Sequence, residues 1–270
     1  MLKTIAIANQ KGGVGQSTTS VNLAASLNAT RQRVLLIDLD PQGNATMGSG
    51  VDKNNVEHSI YDVLVNGDDI ETVAIKSETV GYSIIPSNTD TTGAEVHLLN
   101  MENREYRLDQ AMKKIADKFD YVLIDCPPSL NMLTINALVA AKAVMIPMQC
   151  EYYALEGLSA LMETIQKIKQ THNPDLEIEG LLRTMYDPRT NLSTQVTAQL
   201  DEYFGDKVYR TIIPRNVRLA EAPSHGVPVL LYDKASRGAQ AYLALAGEML
   251  RRNESKMLRR NESEKEAVPA

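Results

Sequence analysis

The sequence Ala8-Asn9-Gln10-Lys11-Gly12-Gly13-Val14-Gly15-Gln16-Ser17-Thr18 lies between an apolar, strand-like run and a helix-like run. A glycine-rich turn in that position lets several backbone N–H groups point at one anion, and the N-terminus of the following helix adds its partial positive charge. The placement therefore predicts a phosphate-binding loop at the end of the first strand.

Two positions of this loop depart from the common phosphate-loop pattern G-x-x-x-x-G-K-[ST]. Gln10 stands where the first glycine is expected, and Gln16 stands where the lysine is expected. The first departure is accompanied by an extra lysine, Lys11. The second removes the cation that normally lies between the β- and γ-phosphates. The sequence thus predicts a nucleotide site that lacks one of its working parts.

Length and composition are those of a globular α/β protein. The 270 residues are 43% hydrophobic and 23% charged, and they suffice for one large domain, although length alone would also permit two. The net charge of −6 argues against nucleic-acid binding by the whole surface, but it leaves room for a local basic patch. We find no secretory signal and no apolar run of the ~20 residues that a membrane span needs. Cys126 and Cys150 have no metal-like spacing, which suits a reducing cytosol and a structural role.

Short apolar runs alternate with helical patterns along most of the chain. The predicted strands are residues 4–9, 34–38, 82–86, 121–125, 143–149, 178–185, 208–213 and 229–231. The predicted helices are residues 18–29, 104–118, 133–141, 155–171, 192–203 and 239–252. This alternation predicts a single doubly wound α/β domain, with a mostly parallel twisted sheet and helices on both faces. Ligands of such sheets bind beyond the carboxyl ends of the strands.

The C-terminal segment contains a duplication: Met249-Leu250-Arg251-Arg252-Asn253-Glu254-Ser255 recurs at residues 257–263. We predict a nucleotide-binding domain over residues 1–252, followed by a disordered or frayed helical tail over 253–270. A membrane anchor would need a continuous apolar face, and the repeat offers only one Met-Leu pair every eight residues.

Three aspartates close predicted strands. Asp38 and Asp40 follow the second strand, and Asp125 follows a later one. An aspartate at such a strand end is the expected partner of Mg²⁺ or its water shell, beside the Ser17 hydroxyl. A single aspartate there usually caps a turn, but three beside one glycine loop favour a functional site.

Several segments resemble the ParA/Soj-type chromosome or plasmid partition ATPases of the deviant Walker A class. They span residues 3–250 and are Lys11-Gly12-Gly13-Val14-Gly15, Asp38-Leu39-Asp40-Pro41-Gln42-Gly43-Asn44-Ala45-Thr46, Asp125-Cys126-Pro127-Pro128, Gln149-Cys150-Glu151-Tyr152-Tyr153-Ala154-Leu155-Glu156-Gly157 and Ile213-Pro214-Arg215-Asn216-Val217-Arg218-Leu219. The glycine loop alone also occurs in MinD-like and nitrogenase-iron-protein-like relatives, but the second and fourth segments point to the Soj-like branch. An iron–sulfur role would need both cysteines in exposed loops, whereas Cys126 closes a strand.

The resemblance implies a nucleotide site for ATP or ADP with Mg²⁺. In that site Gly12, Gly13, Val14 and Gly15 wrap the phosphates, with Gln16 at the family's lysine position. Lys11 reaches the nucleotide of the partner subunit in an ATP-sandwich homodimer. Ser17 binds Mg²⁺ and Thr18 the α-phosphate. Asp40 positions the attacking water, and both Asp40 and Asp125 reach the metal through water. Pro214 and Asn216 lie against the adenine.

The resemblance also implies non-specific binding of double-stranded DNA through Arg189 and Arg218. Four basic residues and no acidic one lie between residues 207 and 218, although most small charge clusters are only solvated edges. Two such patches paired across a dimer would make DNA binding plausible for an acidic protein. The implied partner is a ParB-type centromere-binding protein that stimulates hydrolysis. The implied location is the bacterial cytoplasm and nucleoid, without stable membrane association.

The glutamine at position 16 leaves more than one function possible for this chain. A neutral amide cannot neutralise the charge that builds up on the β–γ bridge, and such a loss typically costs ~2–4 kcal/mol in the transition state. Gln16 is either a substitution that traps one state or part of a natural, weak ATPase. The chain is accordingly either an ATP-driven partition switch or a non-hydrolysing nucleotide- or DNA-binding regulatory module. A MinD-like membrane-positioning ATPase is the further alternative.

Overall fold

The computed structural model describes residues 2–151 and 154–266, with no account of the side chains of residues 154, 257 and 259–266. Tyr152 and Tyr153 of the fourth family segment lie outside the described residues, as does the end of the predicted tail, 267–270.

A seven-stranded sheet forms the centre of the molecule. Its strand order is β3-β4-β2-β5-β1-β6-β7, and every neighbouring pair is parallel except β3 with β4. The strands are β1 Lys3–Ile7, β2 Val34–Asp38, β3 Ile75–Lys76, β4 Ser83–Ile85, β5 Tyr121–Asp125, β6 Ala143–Gln149 and β7 Glu177–Thr184. The predicted fold class, a single doubly wound and mostly parallel α/β domain, is confirmed.

Eleven α-helices in the described residues surround the sheet. They are α1 Gln16–Ala29, α2 Asn44–Gly48, α3 Ile70–Val73, α4 Thr91–Leu99, α5 Arg107–Met112, α6 Met132–Ala140, α7 Ala154–Thr171, α8 Asn191–Phe204, α9 Val217–Glu221, α10 Val229–Tyr232 and α11 Arg237–Glu266. A π-helical turn covers Asp62–Asn66, and 3₁₀ turns cover Arg104–Tyr106, Lys113–Ile115, Gly205–Lys207 and Ala222–His225.

Alternate strand residues supply two separate cores, one on each face of the sheet. Ile5 and Ile7 of β1 are buried in a cluster that includes apolar residues of α1 and α11. Ala6 of the same strand belongs to the other cluster, with apolar residues of α6, α7 and α8. Because successive side chains of a strand point to opposite faces, a sheet covered on both sides needs strands that are apolar throughout.

Two predicted strands are wrong. Residues 208–213 run beside β7 through an isolated bridge between Val208 and Leu181 and a bond from Ile213 N to Arg183 O at 2.9 Å, without forming a regular strand. Residues 229–231 lie in the short helix α10, because the Asn22 carboxamide accepts the Val229 N–H at 2.7 Å directly after Pro228.

Two predicted helices also differ from the structure. The helix predicted over residues 104–118 is broken into a 3₁₀ turn, α5 and a second 3₁₀ turn. The last helix, predicted to end at residue 252, continues to Glu266, because both copies of the repeat consist mainly of helix-forming residues and contain neither glycine nor proline. Met249 of the first copy is fully buried, whereas Leu258 of the second is 64% exposed. Among the described helices, including α11, none is both long and apolar enough to span a bilayer.

The edge strand β7 packs so closely against the following segment that Gly180 has no room for a side chain. A Cβ there would lie 2.6 Å from Tyr209 Cε2 and 2.7 Å from the Lys207 carbonyl oxygen. We predict that Gly180→Ala lowers the free energy of unfolding by about 1–3 kcal/mol. Gly157→Ala in α7 is the control, since its Cβ would meet nothing within 4 Å and alanine favours a helix. Urea unfolding measures both variants, and equal stabilities would contradict the close packing.

Candidate functional site

The glycine loop joins β1 to α1 at the carboxyl end of the sheet. Gly13 and Gly15 have φ angles of 76° and 78°, in the left-handed region that residues with a Cβ rarely adopt. These two glycines allow the backbone to turn tightly before α1 begins at Gln16. Gly12 lies against the loop after β5, where a Cβ would be 3.9 Å from the Pro128 Cβ.

Side chains from the neighbouring strand ends hold the carbonyl groups of the loop. Thr184 Oγ1 donates to Val14 O at 2.7 Å, and Gln149 Nε2 donates to Gly13 O at 3.3 Å. The N–H groups of residues 12–15 donate to no group of the described residues. The loop therefore presents amides to an anion while its carbonyls are bound to the sheet.

A cavity of about 680 Å³ opens beside these amides. Of the predicted site residues, Gly12, Gly13, Gly15, Gln16, Ser17, Thr18 and Asp40 line this cavity. Val14 is 1% exposed and packs into the protein instead. The structure thus brings most of the predicted phosphate and metal residues to one cavity.

Gln16 does not reach into the cavity with its amide hydrogens. Its Nε2 donates to the Ile7 carbonyl oxygen at 2.9 Å and also to the carbonyl oxygen of Cys126. These carbonyls lie at the carboxyl ends of β1 and β5. An amide nitrogen has only two hydrogens. Both are thus already used, and Gln16 can offer one to a phosphate only by giving up a backbone carbonyl.

Asp38 and Asp125 are register partners at the ends of β2 and β5, and both side chains are fully buried. Asp38 accepts from Thr46 N at 2.8 Å, from Thr46 Oγ1 at 2.7 Å and from Asp40 N at 3.1 Å. This carboxylate therefore anchors the start of α2. Asp125 accepts from Ser20 Oγ at 2.7 Å, but its Oδ2 is buried with no hydrogen-bond partner among the described residues.

Burial raises the pKa of Asp125 well above its ordinary value, and the neighbouring charge of Asp38 adds to the effect. The hydroxyls of Ser17 and Ser20 oppose it. An uncompensated buried carboxylate oxygen beside a serine hydroxyl fits a hard divalent cation, which prefers oxygen ligands and would favour the ionised carboxylate. Ser17 and Asp125 therefore suit Mg²⁺, with Asp125 lying behind the residues that line the cavity.

Asp40 lies in the cavity wall, and its side chain is largely buried. Its Oδ1 accepts the Gln42 N–H at 2.9 Å. Burial raises the pKa of Asp40, while the Gln42 N–H and the charge of Lys53 lower it. The carboxylate is held by its own turn at the wall of the cavity.

Lys11 is not among the residues that line the cavity. Its Nζ lies 2.6 Å from Glu151 Oε2, just beyond the end of β6, and the side chains are 39% and 50% exposed. An exposed pair of this kind contributes about 0–1 kcal/mol. The ammonium is therefore available to another partner at little cost.

Pro214 and Asn216 are not among the residues that line the cavity. Pro214 forms an isolated bridge with Tyr186, and Asn216 caps α9 by accepting the Leu219 N–H at 3.3 Å. Contact of these two residues with adenine stays a prediction. Met185, Pro223, Ser224 and Val227 are among the residues that do line the cavity.

Sequence reasoning missed these four wall residues. The turn residues of Ala222-Pro223-Ser224-His225-Gly226 were a usable signal, since such a cluster between apolar runs marks a loop. Met185 gave no signal. It has an unusual φ of 47°, and its Sδ accepts from Gln149 Nε2 at 2.7 Å.

Arg189 and Arg218 lie outside the cavity, and each pairs with nearby carboxylates. Arg189 Nη2 is 2.6 Å from Asp187 Oδ2, and this contact lowers the pKa of Asp187 to about 2. Arg218 is 2.8 Å from Glu221 and 3.4 Å from Asp233. The Arg189 and Arg218 side chains are 86% and 50% exposed, so both can reach a large ligand.

Comparison with known proteins identifies the family. A family model described as "AAA domain" matches residues 2–178. The sporulation initiation inhibitor protein Soj of Bacillus subtilis is 55% identical over 250 residues, which cover 92% of this chain and 98% of Soj. The chain belongs to the ParA/Soj family of chromosome-partitioning ATPases.

A second relative and a solved structure are also similar to this chain. An uncharacterised protein of Pseudomonas putida is 64% identical over 252 residues, covering 93% of this ParA/Soj chain and 96% of the relative. The crystal structure of cobyrinic acid a,c-diamide synthase from Mycobacterium smegmatis, with bound ADP and magnesium, superposes with a TM-score of 0.83. It is 38% identical, and the match covers 95% of this chain and 97% of that one.

The Lys11–Glu151 pair can be tested directly in solution. We predict that a zero-length carbodiimide reagent joins Lys11 to Glu151 in the nucleotide-free protein, because the reagent links only amines and carboxylates in contact. The Lys118–Glu71 pair, at 2.5 Å, is the internal reference, and Glu151→Gln should remove only the first product. Mass spectrometry of the peptides that finds the Lys118 product without the Lys11 product would contradict the pairing.

Proposed function

We propose that this chain is an ATP-dependent DNA-partitioning switch that binds ATP with Mg²⁺, dimerises on it and hydrolyses it slowly. The observation that carries the proposal is that one cavity brings the glycine loop together with Ser17 and Asp40. The N–H groups of residues 12–15 have no partner among the described residues, and the buried Asp125 lies behind the lining residues. Amides, hydroxyl and carboxylates in this arrangement suit a nucleoside triphosphate and its metal.

The residues of the site have separate roles in the proposed reaction. The loop amides and the N-terminus of α1 hold the phosphates, and Thr18, at the first turn of that helix, binds the α-phosphate. Ser17 and, through water, Asp125 and Asp40 hold Mg²⁺. The metal, when bound, neutralises charge on the phosphate oxygens. Asp40 orients the attacking water, since its carboxylate is fixed by Gln42 and faces the cavity.

Because of Gln16, we expect this site to catalyse phosphoryl transfer slowly. Its amide hydrogens are bound to the carbonyls of Ile7 and Cys126, and the side chain carries no charge. The charge that develops on the β–γ bridge is therefore left without a cation from the loop, at a cost of ~2–4 kcal/mol in the transition state.

We predict that Gln16→Lys raises ATP turnover by at least tenfold, because an ammonium restores the missing positive charge. Phosphate release at saturating ATP and Mg²⁺ measures the effect, with Gln10→Lys as a control that adds the same charge at the other departing position. Indistinguishable turnover of the parent and Gln16→Lys would remove position 16 as the cause of weak hydrolysis.

A non-hydrolysing nucleotide- or DNA-binding module is the second candidate. The observation in its favour is the same pair of Gln16 bonds, which are compatible with binding but supply nothing to catalysis. Phosphate release in the presence of duplex DNA and a ParB-type protein distinguishes the candidates. The switch should respond to the partner, and the module should not.

The proposed dimer depends on Lys11, whose ammonium pairs with the exposed Glu151 carboxylate. In a face-to-face dimer it would exchange this exposed carboxylate for the phosphates of the other subunit's nucleotide. We predict that, in the Gln16→Lys background, Lys11→Ala abolishes the ATP-dependent dimer without unfolding the monomer. Lys118→Ala, from the other exposed pair, is the matched control. A normal ATP dimer of Lys11→Ala in light scattering would exclude this arrangement.

The proposed DNA surface uses Arg189 and Arg218, each of which would exchange carboxylate partners for backbone phosphates. In the ATP-bound Gln16→Lys protein, we predict that either arginine changed to alanine weakens binding to any duplex by a similar factor. The slope of log affinity against log salt should become shallower by roughly two per variant, since a dimer loses two cations. Arg33→Ala is the control, because this arginine is also paired but lies at the amino end of β2, whereas Arg189 follows the carboxyl end of β7. If DNA affinity fell only for some sequences, or if the salt slope did not change, both arginines would be ordinary surface residues without a role in DNA binding.

The proposed function implies that the protein is cytoplasmic and associated with the bacterial nucleoid. Its proposed partner is a ParB-type centromere-binding protein. The alternative, a MinD-like membrane-positioning ATPase, would use the C-terminal helix as an anchor. Leu258 is exposed there, but Glu254, Ser255 and Lys256 are exposed beside it, which does not favour insertion into lipid.

A further inference from the structure

A second cavity, of about 1130 Å³, lies at the β7 edge of the sheet, away from the glycine loop. Its walls come from β7, the end of α8, the segment after α8 and the middle of α11. Six cationic side chains and four carboxylates line it. None of the predicted nucleotide, metal or DNA residues belongs to this wall.

Arg183 is the unusual member of this wall because it is only 7% exposed. A guanidinium has five N–H donors. The Nη2 group donates to the Tyr209 carbonyl oxygen at 2.8 Å, while Nε is buried without a hydrogen-bond partner among the described residues. No carboxylate of those residues comes within ion-pair distance of Arg183. Burying a charge without a counter-ion costs several kcal/mol of folding free energy. A bound anion next to Arg183 would offset that cost.

The two buried carboxylates of the same wall already have partners. Glu248 accepts from the N–H groups of Arg210 and Thr211 and pairs with Arg252 at 2.7 Å. Glu179 pairs with Lys3 at 2.7 Å. The remaining acids, Asp201 and Asp206, are exposed. Four cations of this wall have no ion pair among the described residues: Arg183, Lys207, Arg210 and Arg251.

We propose that this cavity is a binding site for a small free oxyanion of the phosphate class, with Arg183 as its main ligand and Arg210 at its rim. Guanidinium groups match the oxygen geometry of phosphate, and buried ones bind it more strongly than exposed ones. The depth of Arg183 favours a free anion over a duplex, whose phosphates reach only surface cations such as Arg189, at 86% exposed. Arg183 directly precedes Thr184, the residue that holds the glycine loop through Val14 O, so the two sites share one strand.

Inorganic phosphate is the probe, titrated into the nucleotide-free protein at constant ionic strength set with sodium chloride. We expect 20 mM phosphate to raise the melting temperature by about 3 °C, as an anion bound at millimolar affinity would. In Arg183→Met at least two thirds of this rise should be lost. In chloride alone this variant should melt at the same temperature as the parent or higher, because an uncompensated buried charge has been removed.

Further variants locate the site and identify its ligand. Arg210→Met leaves the buried guanidinium in place and should weaken phosphate binding at least twofold, which keeps the proposal testable if Arg183→Met does not fold. Arg33→Met, far from the cavity, should respond like the parent. Phosphate bound at the glycine loop would be unaffected by either cavity variant. Coincident phosphate titrations of the parent and the folded cavity variants would overturn the proposal. So would loss of duplex DNA binding in Arg183→Met with an unchanged phosphate response, since the DNA backbone would then be the ligand.

Discussion

The parallel register of β2, β5 and β1 is the constraint on which the nucleotide site depends. It places Asp38 and Asp125 side by side at one edge, with the end of β1 next to them. Two buried carboxylates in adjacent strands repel each other when both are ionised. Their hydrogen-bond partners differ. Asp38 is fully engaged by Thr46 and the Asp40 N–H, whereas Asp125 keeps one oxygen without a partner. That remaining oxygen, with the Ser17 hydroxyl, would suit a hard cation.

The same strand ends determine what Gln16 does. The carbonyl groups of Ile7 and Cys126 lie at the foot of α1, and the Gln16 amide binds both. A lysine at this position would have one more bond of reach and a charge that backbone carbonyls alone do not neutralise. Glutamine satisfies the local hydrogen bonds and leaves the phosphates to the loop amides. Under the proposed function, Gln16 is therefore compatible with the fold but unfavourable for phosphoryl transfer.

Local pattern was enough to predict six of the seven strands, the glycine loop and the strand-end carboxylates, because each depends on residues close in sequence. Periodicity could not show that residues 208–213 run beside β7 without joining it, since that depends on how closely Tyr209 packs on Gly180. Nor could it show that Asn22, far away in sequence, would start a helix at Val229. The walls made by Met185 and Pro223, and the buried guanidinium of Arg183, likewise arise from tertiary packing. The resemblance supplied roles for Lys11 and Asn216 that the geometry of one subunit does not test.

The central claim is that the Gln16 side chain donates its hydrogen bonds to backbone carbonyl groups and contributes nothing to nucleotide binding. Calorimetric titration of ATP with Mg²⁺ into the parent, Gln16→Ala and Gln16→Lys tests it most directly. We predict that Gln16→Ala binds ATP within about twofold of the parent, while Gln16→Lys binds at least tenfold more tightly, equivalent to about 1.4 kcal/mol. A Gln16→Ala variant that binds ATP tenfold more weakly than the parent, with its fold intact, would show that the amide contacts the nucleotide and would contradict the claim.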